Sequence, residues 1–239
     1  MHHYSDQDIE ALKELLVKFY YQDWVAGQTR STRSQTCCNI IIALKEKKSV
    51  RYIASIVVKK YLDDKNITQR FRDNLKDSKL YEKFYFAGKS VKKNSWLRPI
   101  LILVEYFMSD DSKPKRIEKN DFHVEHILPQ KPDPSSQWVK DFSEEERKHY
   151  THSLANLTLL GGTKNAQASN LDFKEKKEIY MGNAVKLGKD KRGREKTFRV
   201  MTCYKMTIDI AHHYTEWTPK SLEKRKEELI QIIESVLTL

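Results

Sequence analysis

Two imidazoles and a carboxylate lie within four consecutive residues near the middle of the chain: His123, Glu125 and His126. A neutral imidazole with a pKa of about 6.5 can accept a proton from water near neutral pH. A carboxylate oxygen is a ligand that Mg²⁺ and Mn²⁺ prefer. The segment is therefore compatible with a general base beside a metal ligand. A polar strand end with a solvated histidine is the simpler alternative.

The proline that follows this segment restricts its local structure. Pro129 has no backbone N–H and biases Leu128 toward extended geometry, so a helix cannot continue through it without a kink. A zinc-protease helix would also need histidines four residues apart, whereas these are three apart. We predict a short strand over residues 121–127, with a bend after it that lets Glu125 and His126 reach one cleft.

A second candidate segment is HSLANLTLLGG, residues 152–162. Its leucines predict a strand that ends at two glycines. Asn156 lies within this apolar run, and a buried amide costs stability unless it is hydrogen-bonded. Asn165 follows nine residues later. Asn170 is most simply the N-cap of a helix over about residues 171–180.

These segments together resemble the C-terminal nuclease domain of GmrSD-type modification-dependent restriction endonucleases. That domain belongs to the His-Asn-His (His-Me finger, ββα-metal) nucleases. The resemblance rests on EHILP, HSLANLTLL, Asn165 and NLDFKEKK, and on the late Trp217 followed by a helix with Arg225. It covers the chain well from Trp96 onward and the first hundred residues loosely. With the helical patterns below, it implies a mainly α fold, a helical bundle carrying a small ββα-metal nuclease core.

The resemblance also implies a role for each matching residue. His126 matches the general base and Asn156 the residue that orients it, so these two are the predicted catalytic residues. Glu125 and Asn165 match metal ligands, and their oxygen donors favour Mg²⁺ or Mn²⁺. Three further polar residues close to these motifs are candidate cleft-lining residues: His123, His152 and Asn170.

The chain is strongly basic, with a formal net charge of +11 and a pI near 9.3. Residues 174–205 hold eleven Lys or Arg against four Asp or Glu. We interpret residues 186–199 as a loop that follows DNA phosphates, and a merely solvated loop is the alternative. By the resemblance, Lys176 matches a basic residue near the phosphate path. The predicted DNA-binding residues are Lys164, Lys176, Lys177, Lys189, Lys191, Arg192 and Arg194.

Apolar residues at helical spacing predict that most of the chain is helical. Helix starts are predicted at Ser5, Ser49, Ser143 and Thr218. The apolar run over residues 96–108 is too short to span a bilayer and predicts a buried helix.

Two further segments have less regular patterns. Residues 26–38, rich in small polar side chains, are predicted to form a loop. The aromatic residues between 81 and 86 are interpreted as packing between helices, and a nucleic-acid surface together with the basic segment of residues 89–94 is the alternative. We place a soft domain boundary near residue 95, which gives a helical domain over residues 1–95. Residues 96–239 would then form a His-Asn-His nuclease domain with a C-terminal helix.

The three cysteines, Cys37, Cys38 and Cys203, form no CxxC pair. We therefore expect no structural zinc and a reducing, cytoplasmic location. No membrane partner is expected, because no signal peptide or spanning segment is visible. The chain also lacks a GxxxxGK[ST] loop. The resemblance therefore implies that a nucleotide-hydrolysing domain or subunit of the same system would be separate from it.

The leading prediction is a metal-dependent endonuclease that hydrolyses phosphodiester bonds in double-stranded DNA, as the nuclease part of a restriction or phage-defence system. Two alternatives stay open. One is a DNA- or RNA-binding module with a degenerate nuclease fold, although none of the four matching site residues has been lost. The other is an RNase that uses the same chemistry. Incubation with plasmid and Mg²⁺ or Mn²⁺, against EDTA, separates cutting from binding.

Overall fold

The structure is a computed structural model, and the fold that it describes is mainly helical. The described residues are 3–86, 94–110, 116–118, 122–183, 185–189, 192–198 and 204–239. For residues 85–86, 185–189 and 195–198, only the backbone is described.

Helices form most of the N-terminal part of the described chain. They are α1 (Asp6–Val25), α2 (Arg30–Lys45), α3 (Val50–Tyr52), α4 (Lys60–Asp64), α5 (Ile67–Leu75) and α6 (Leu80–Phe86). A π-helical segment, Ile53–Lys59, joins α3 to α4.

The C-terminal part adds two small antiparallel sheets to the helices. Its elements are α7 (Leu97–Phe107), β1 (His123–His126), α8 (Gln137–Asp141), α9 (Glu144–Tyr150), β2 (Leu157–Leu160), α10 (Gly162–Ala168), α11 (Phe173–Met181), β3 (Val185–Lys189), β4 (Glu195–Phe198), α12 (Lys205–His213) and α13 (Pro219–Leu237). Strand β1 pairs with β2, and β3 pairs with β4. A 3₁₀ turn, Leu154–Asn156, precedes β2.

The helix starts predicted at Ser5, Ser49, Ser143 and Thr218 are confirmed. The Ser5 and Ser143 side chains each form a capping box with the acidic residue three positions later. Ser49 and Thr218 each accept a hydrogen bond from a backbone N–H of the first turn. Such caps contribute about 1 kcal/mol each because they satisfy N–H groups that have no partner within the helix.

The predicted loop over residues 26–38 is wrong, because α2 begins at Arg30. Thr29 caps this helix, and its buried positions face a core cluster. The Arg33 guanidinium bonds the buried Asp23 carboxylate of α1 at 2.6 Å. The small polar residues of this segment therefore lie on a packed helix, and the Arg33 guanidinium is bonded to Asp23.

The predicted basic loop over residues 186–199 is also wrong, because most of it forms the hairpin of β3 and β4. Val185 pairs with Phe198 and Lys186 with Thr197, with an irregularity before Lys189. Gly193 lies between the strands at a φ of +78°. Glycine favours this left-handed conformation, so the residue permits the chain to reverse there.

The helices and sheets enclose hydrophobic clusters, and one cluster spans the predicted boundary at residue 95. It contains Phe71 and Leu80 together with Leu101 and Ile233. The Gln22 side chain also donates to the backbone carbonyl near the C-terminus of α13 at 2.8 Å. The boundary stays a prediction, and the residues on its two sides share a core.

A second hydrophobic cluster packs against the β1–β2 strand pair. It includes Ile127, Leu128, Trp138, Tyr180 and Trp217, all essentially inaccessible to solvent. Burial of large apolar side chains is the main favourable term in folding. The two short strands are therefore held by packing rather than by their own few hydrogen bonds. In the part of the chain that is described, no helix combines the length and apolar character needed to cross a bilayer.

Candidate active site

The first strand places the candidate catalytic residues at its end. β1 pairs with β2 so that Glu125 lies opposite Thr158 and His126 opposite Leu157. The predicted strand over residues 121–127 is confirmed in its central part, and the chain bends immediately after His126. The antiparallel partner thus fixes the position of Glu125 and His126, and the bend fixes the direction in which the chain leaves.

Asn156 holds this bend through a complete set of hydrogen bonds. Its Oδ1 accepts from the Leu128 N–H at 2.7 Å and from the Trp217 indole N–H at 3.2 Å. Its Nδ2 donates to the carbonyls of Leu128 and Thr151 at 2.8 and 3.0 Å. The side chain is fully buried. Because both donor hydrogens and the acceptor are used, the amide fixes the backbone that follows His126.

Asn156 lies in the 3₁₀ turn before β2, so its prediction as a strand residue is wrong. Its side chain bonds backbone groups on the neighbouring segment, which is an alternative to strand pairing that asparagine often takes. The C-terminal helix supports the same turn, since the buried Arg225 guanidinium donates to the carbonyls of Ala155 and Leu157. Burial lowers the pKa of Arg225 to about 10. The guanidinium therefore stays charged at neutral pH.

His126 is buried among aromatic rings. The Tyr81 ring meets its edge at 4.3 Å between centroids, and the His152 ring lies at 5.5 Å. The Gln130 amide nitrogen is 3.4 Å from Nδ1 of His126. Nε2 is buried and has no hydrogen-bond partner among the described residues. Tyr81, His152 and Gln130 therefore fix the position of the imidazole ring, while its Nε2 makes no hydrogen bond to the described residues.

Burial sets the protonation state of His126. It lowers the pKa of His126 to about 3, and the nearby His152 and Lys176 add charge repulsion. Burial also lowers the pKa of His152, with the Glu82 carboxylate opposing the change. Both imidazoles are consequently neutral at physiological pH, the form in which an imidazole can accept a proton.

His152 packs near His126 and also lines a cleft at the protein surface. Its ring stacks on Tyr81 at 6.0 Å with an interplanar angle of 7°. Its backbone carbonyl accepts from the Tyr81 N–H at 3.0 Å, and its Nδ1 is buried without a partner in the described chain. It lines a cleft together with Gln130 and Thr151. Tyr81, interpreted from the sequence as packing between helices, packs here against two candidate site residues.

Asn165 lies on α10, a helix that the sequence analysis did not predict. Its Oδ1 is buried and has no hydrogen-bond partner among the described residues. This amide differs from Asn156, although the two residues lie nine positions apart in the same motif. A buried acceptor without a partner costs free energy, a cost that the fully bonded amide of Asn156 does not carry.

Glu125, the residue before His126, forms a buried ion pair with Lys176. Its Oε1 accepts from the Lys176 ammonium at 2.7 Å and from the Tyr180 hydroxyl at 3.1 Å. Lys176 also donates to the His126 carbonyl at 2.7 Å. Burial raises the pKa of Glu125 and lowers the pKa of Lys176, and the attraction between the two charges opposes both changes. The pair ties α11 to the end of β1.

Residues 43–232 match the family model for the C-terminal domain of GmrSD restriction endonucleases. The chain belongs to this family. The match confirms the resemblance seen in the sequence, and it implies DNA as the substrate class of the domain. Comparison with curated protein sequences gave no match.

The GmrSD C-terminal domain buries two lysines that were predicted to bind DNA. Lys164 is 3% exposed and donates to the Ile179 carbonyl, and Lys176 is 0% exposed within the ion pair with Glu125. Neither ammonium can meet a phosphate at the surface, so both residues are removed from the DNA-binding set. Lys177 is half-buried and donates to the Tyr214 carbonyl at 2.6 Å.

Three of the remaining predicted DNA contacts of the GmrSD C-terminal domain lie on the β3–β4 hairpin: Lys189, Arg192 and Arg194. Arg192 and Arg194 are exposed in the connection between its strands. Lys189 belongs to β3, but its side chain lies outside the described residues, as does Lys191 altogether. The hairpin packs against α11. Binding of DNA by these four residues stays a prediction.

Two of the three candidate cleft-lining residues are exposed, and neither is among the residues that line the cleft beside His152. The His123 ring lies over the start of α10, where a Cβ at Gly162 would be 3.2 Å from its Nε2. Asn170 is not the N-cap of α11, because Asp172 takes this position with a capping box. Asn170 was favoured by its residue type, but the helix begins two residues later than expected.

Two residues predicted as metal ligands carry oxygen donors of the kind that a hard divalent cation takes. The unpartnered Oδ1 of Asn165 and the Glu125 carboxylate have the ligand chemistry that Mg²⁺ and Mn²⁺ favour. The described residues contain no group of three or more His, Cys, Asp or Glu arranged to hold a metal ion.

Proposed function

We propose that this domain is a metal-dependent endonuclease of the His-Asn-His type. It hydrolyses phosphodiester bonds of double-stranded DNA as the nuclease part of a restriction or phage-defence system. The observation that carries the proposal is His126, a buried and neutral imidazole whose Nε2 has no partner among the described residues. The membership of the chain in a restriction-endonuclease family supports the same reaction class.

His126 is the proposed general base. Its Nε2 takes a proton from a water molecule while the water oxygen attacks phosphorus, and the bond from phosphorus to the leaving oxygen breaks. For Nε2 to accept, Nδ1 must carry the ring proton, and a rotated Gln130 amide offers an oxygen to receive it. An anionic phosphate beside the ring raises the pKa of His126, which strengthens the base when DNA is bound.

Asn156 is the proposed positioning residue. Its bonds to both backbone groups of Leu128 hold the bend immediately after His126. A base contributes fully only when its reacting nitrogen is held at hydrogen-bond distance from the proton that it takes. The hydrogen bond from Lys176 to the His126 carbonyl restrains the same stretch of backbone.

Glu125 and Asn165 are the residues proposed to hold Mg²⁺ or Mn²⁺. The bound cation would supply stabilisation of the negative charge on the phosphate and on the leaving oxygen. In the structure Oε1 of Glu125 is bonded to Lys176 and Tyr180, so these neighbours keep the carboxylate in one orientation. Nucleotide hydrolysis and recognition of modified bases are proposed to belong to a separate domain or subunit.

A plasmid cleavage assay tests the proposal. Wild-type protein is expected to nick or linearise supercoiled plasmid with Mg²⁺ or Mn²⁺ and to stop when EDTA is added. His126→Ala should lower the rate by about 10²–10⁴-fold and keep its affinity for DNA. A wild-type protein that binds plasmid without cutting it would favour the non-catalytic binding module, and preferential cleavage of RNA would favour the RNase.

A further inference from the structure

We propose that DNA reaches His126 through the cleft beside His152, between the start of α6 and helix α9. We call it the α6–α9 cleft. This inference rests on the proposed nuclease function and adds a binding surface to it. The cleft has a volume of about 480 Å³. The lining residues that matter here are Lys79, Gln130, Arg147, Lys148, Thr151 and His152.

The α6–α9 cleft is continuous with the candidate active site. Two of its lining residues, Gln130 and His152, are also neighbours of His126. The Nδ1 atom of His152 is buried and has no partner in the described chain, so this wall of the cleft has an unused polar atom. The backbone bond between Tyr81 and His152 holds the two walls together at 3.0 Å. A phosphate in the cleft would therefore lie next to Gln130 and His152, the two lining residues that neighbour the proposed base.

The charges of the cleft favour a phosphate backbone. Lys79, Arg147 and Lys148 supply three cations, against the carboxylates of Glu82 and Glu144. The Lys148 ammonium pairs with Glu144 at 2.6 Å, but both side chains are 73% exposed. Exposed pairs of this kind contribute only about 0–1 kcal/mol. A DNA phosphate, which carries a full charge and strong acceptors, can therefore replace Glu144 as the partner of Lys148.

The α6–α9 cleft is a better position for the reacting DNA segment than the β3–β4 hairpin. The cleft is lined by Gln130 and His152, which are neighbours of His126, whereas the hairpin packs on α11. Lys164 and Lys176, two of the predicted DNA-binding lysines, are buried and bonded inside the protein.

The inference is tested by reversing two charges of the cleft. Lys79→Glu/Lys148→Glu is made in the His126→Ala background, so that the DNA stays intact. Binding of a labelled duplex of about 20 base pairs, long enough to cover the phosphates of a single domain, is measured by anisotropy at several salt concentrations. The matched control is Lys13→Glu/Lys59→Glu. Both of its lysines are exposed and paired within a helix, with Glu10 and Asp63.

The cleft variant should bind at least about tenfold more weakly than its parent, with a salt slope smaller by about 2. The control variant should retain most of the affinity and the full slope. Equal affinities and slopes for the two variants would overturn the inference, and so would a parent protein that does not bind duplex at low salt. Thermal melting of each variant, together with the milder Lys79→Ala/Lys148→Ala, verifies that a loss of binding does not reflect unfolding.

Cleavage by the same substitutions in the wild-type background separates this inference from the proposed function. A wild-type protein that binds through the cleft without cutting would contradict the nuclease and retain the cleft. A wild-type protein that cuts, together with a cleft variant that cuts equally well, would contradict the cleft and retain the nuclease.

Discussion

Two regions of the candidate site motifs use polar side chains in opposite ways. In the bonded region, Glu125, Asn156 and Lys176 are buried and hydrogen-bonded to other parts of the chain. In the open region, His126 Nε2, His152 Nδ1 and Asn165 Oδ1 are buried without partners among the described residues. We infer that the first region contributes stability and that the second contributes chemistry. Substitutions should therefore separate the two effects.

The largest effect on stability is expected in the bonded region from Lys176→Met. Removing the ammonium leaves the buried Glu125 carboxylate unpaired, which typically costs about 3–5 kcal/mol. Urea unfolding at neutral pH measures the loss. Adding Glu125→Gln to the same chain should recover much of the stability, because the uncompensated charge is then absent. Lys177→Met is the neighbouring control, and an equal loss in that variant would argue against the ion pair.

A comparison of the two asparagines tests the contrast directly. Asn156→Ala should lower the free energy of unfolding by about 2–4 kcal/mol, since it leaves several buried backbone groups without partners. Asn165→Ala should lower it by less than about 1 kcal/mol, because Oδ1 makes no bond to lose. Denaturant melts of both variants measure this difference. Equal losses would mean that Asn165 also has a structural role.

Asn165→Ala should affect cleavage more than folding. Loss of a direct ligand is expected to lower metal affinity by at least about tenfold, since even indirect supporting residues have effects of that size. The cleavage rate should therefore need more Mg²⁺ to reach half of its maximum. Titration of Mg²⁺ against rate measures the change, and an unaltered titration would remove Asn165 from the proposed ligands.

The burial of His126 predicts a smaller, pH-dependent effect. Its pKa is about 3 in the folded protein and about 6.5 in the unfolded chain. Between these values the unfolded chain binds more protons, so stability falls as pH falls below about 6.5, by up to about 1.4 kcal/mol per pH unit. His126→Asn should remove this part of the pH dependence. Unfolding free energies from pH 7 to pH 5 measure it, and parallel curves would contradict it.

Local features of the fold could be predicted because they depend on residues close together in sequence. Ser5 and Ser143 cap helices through the residue three positions later. The short strand that was predicted before Pro129 is present as His123–His126. The family resemblance is confirmed by the family match, and the roles that it implies for Glu125, Asn156 and Asn165 stay predictions.

The remaining features depend on contacts between distant segments. Lys176 was predicted to lie near DNA because it is basic, but it is buried by a partner 51 residues away in the chain. Lys164 is buried in the same manner by a backbone carbonyl of α11. Tyr81 packs on His126 across a similar separation. Residue type and spacing could not predict these pairings, because tertiary packing decides which polar groups meet.

The central claim is that His126 is the base of a nuclease. Single-turnover cleavage of a labelled duplex with Mg²⁺ or Mn²⁺ tests it most directly, with DNA affinity measured on the same preparations. The account predicts that His126→Ala cuts at least about 10²-fold more slowly while its affinity for DNA and its melting profile above pH 7 are retained. An alanine variant that cuts at the wild-type rate would contradict it.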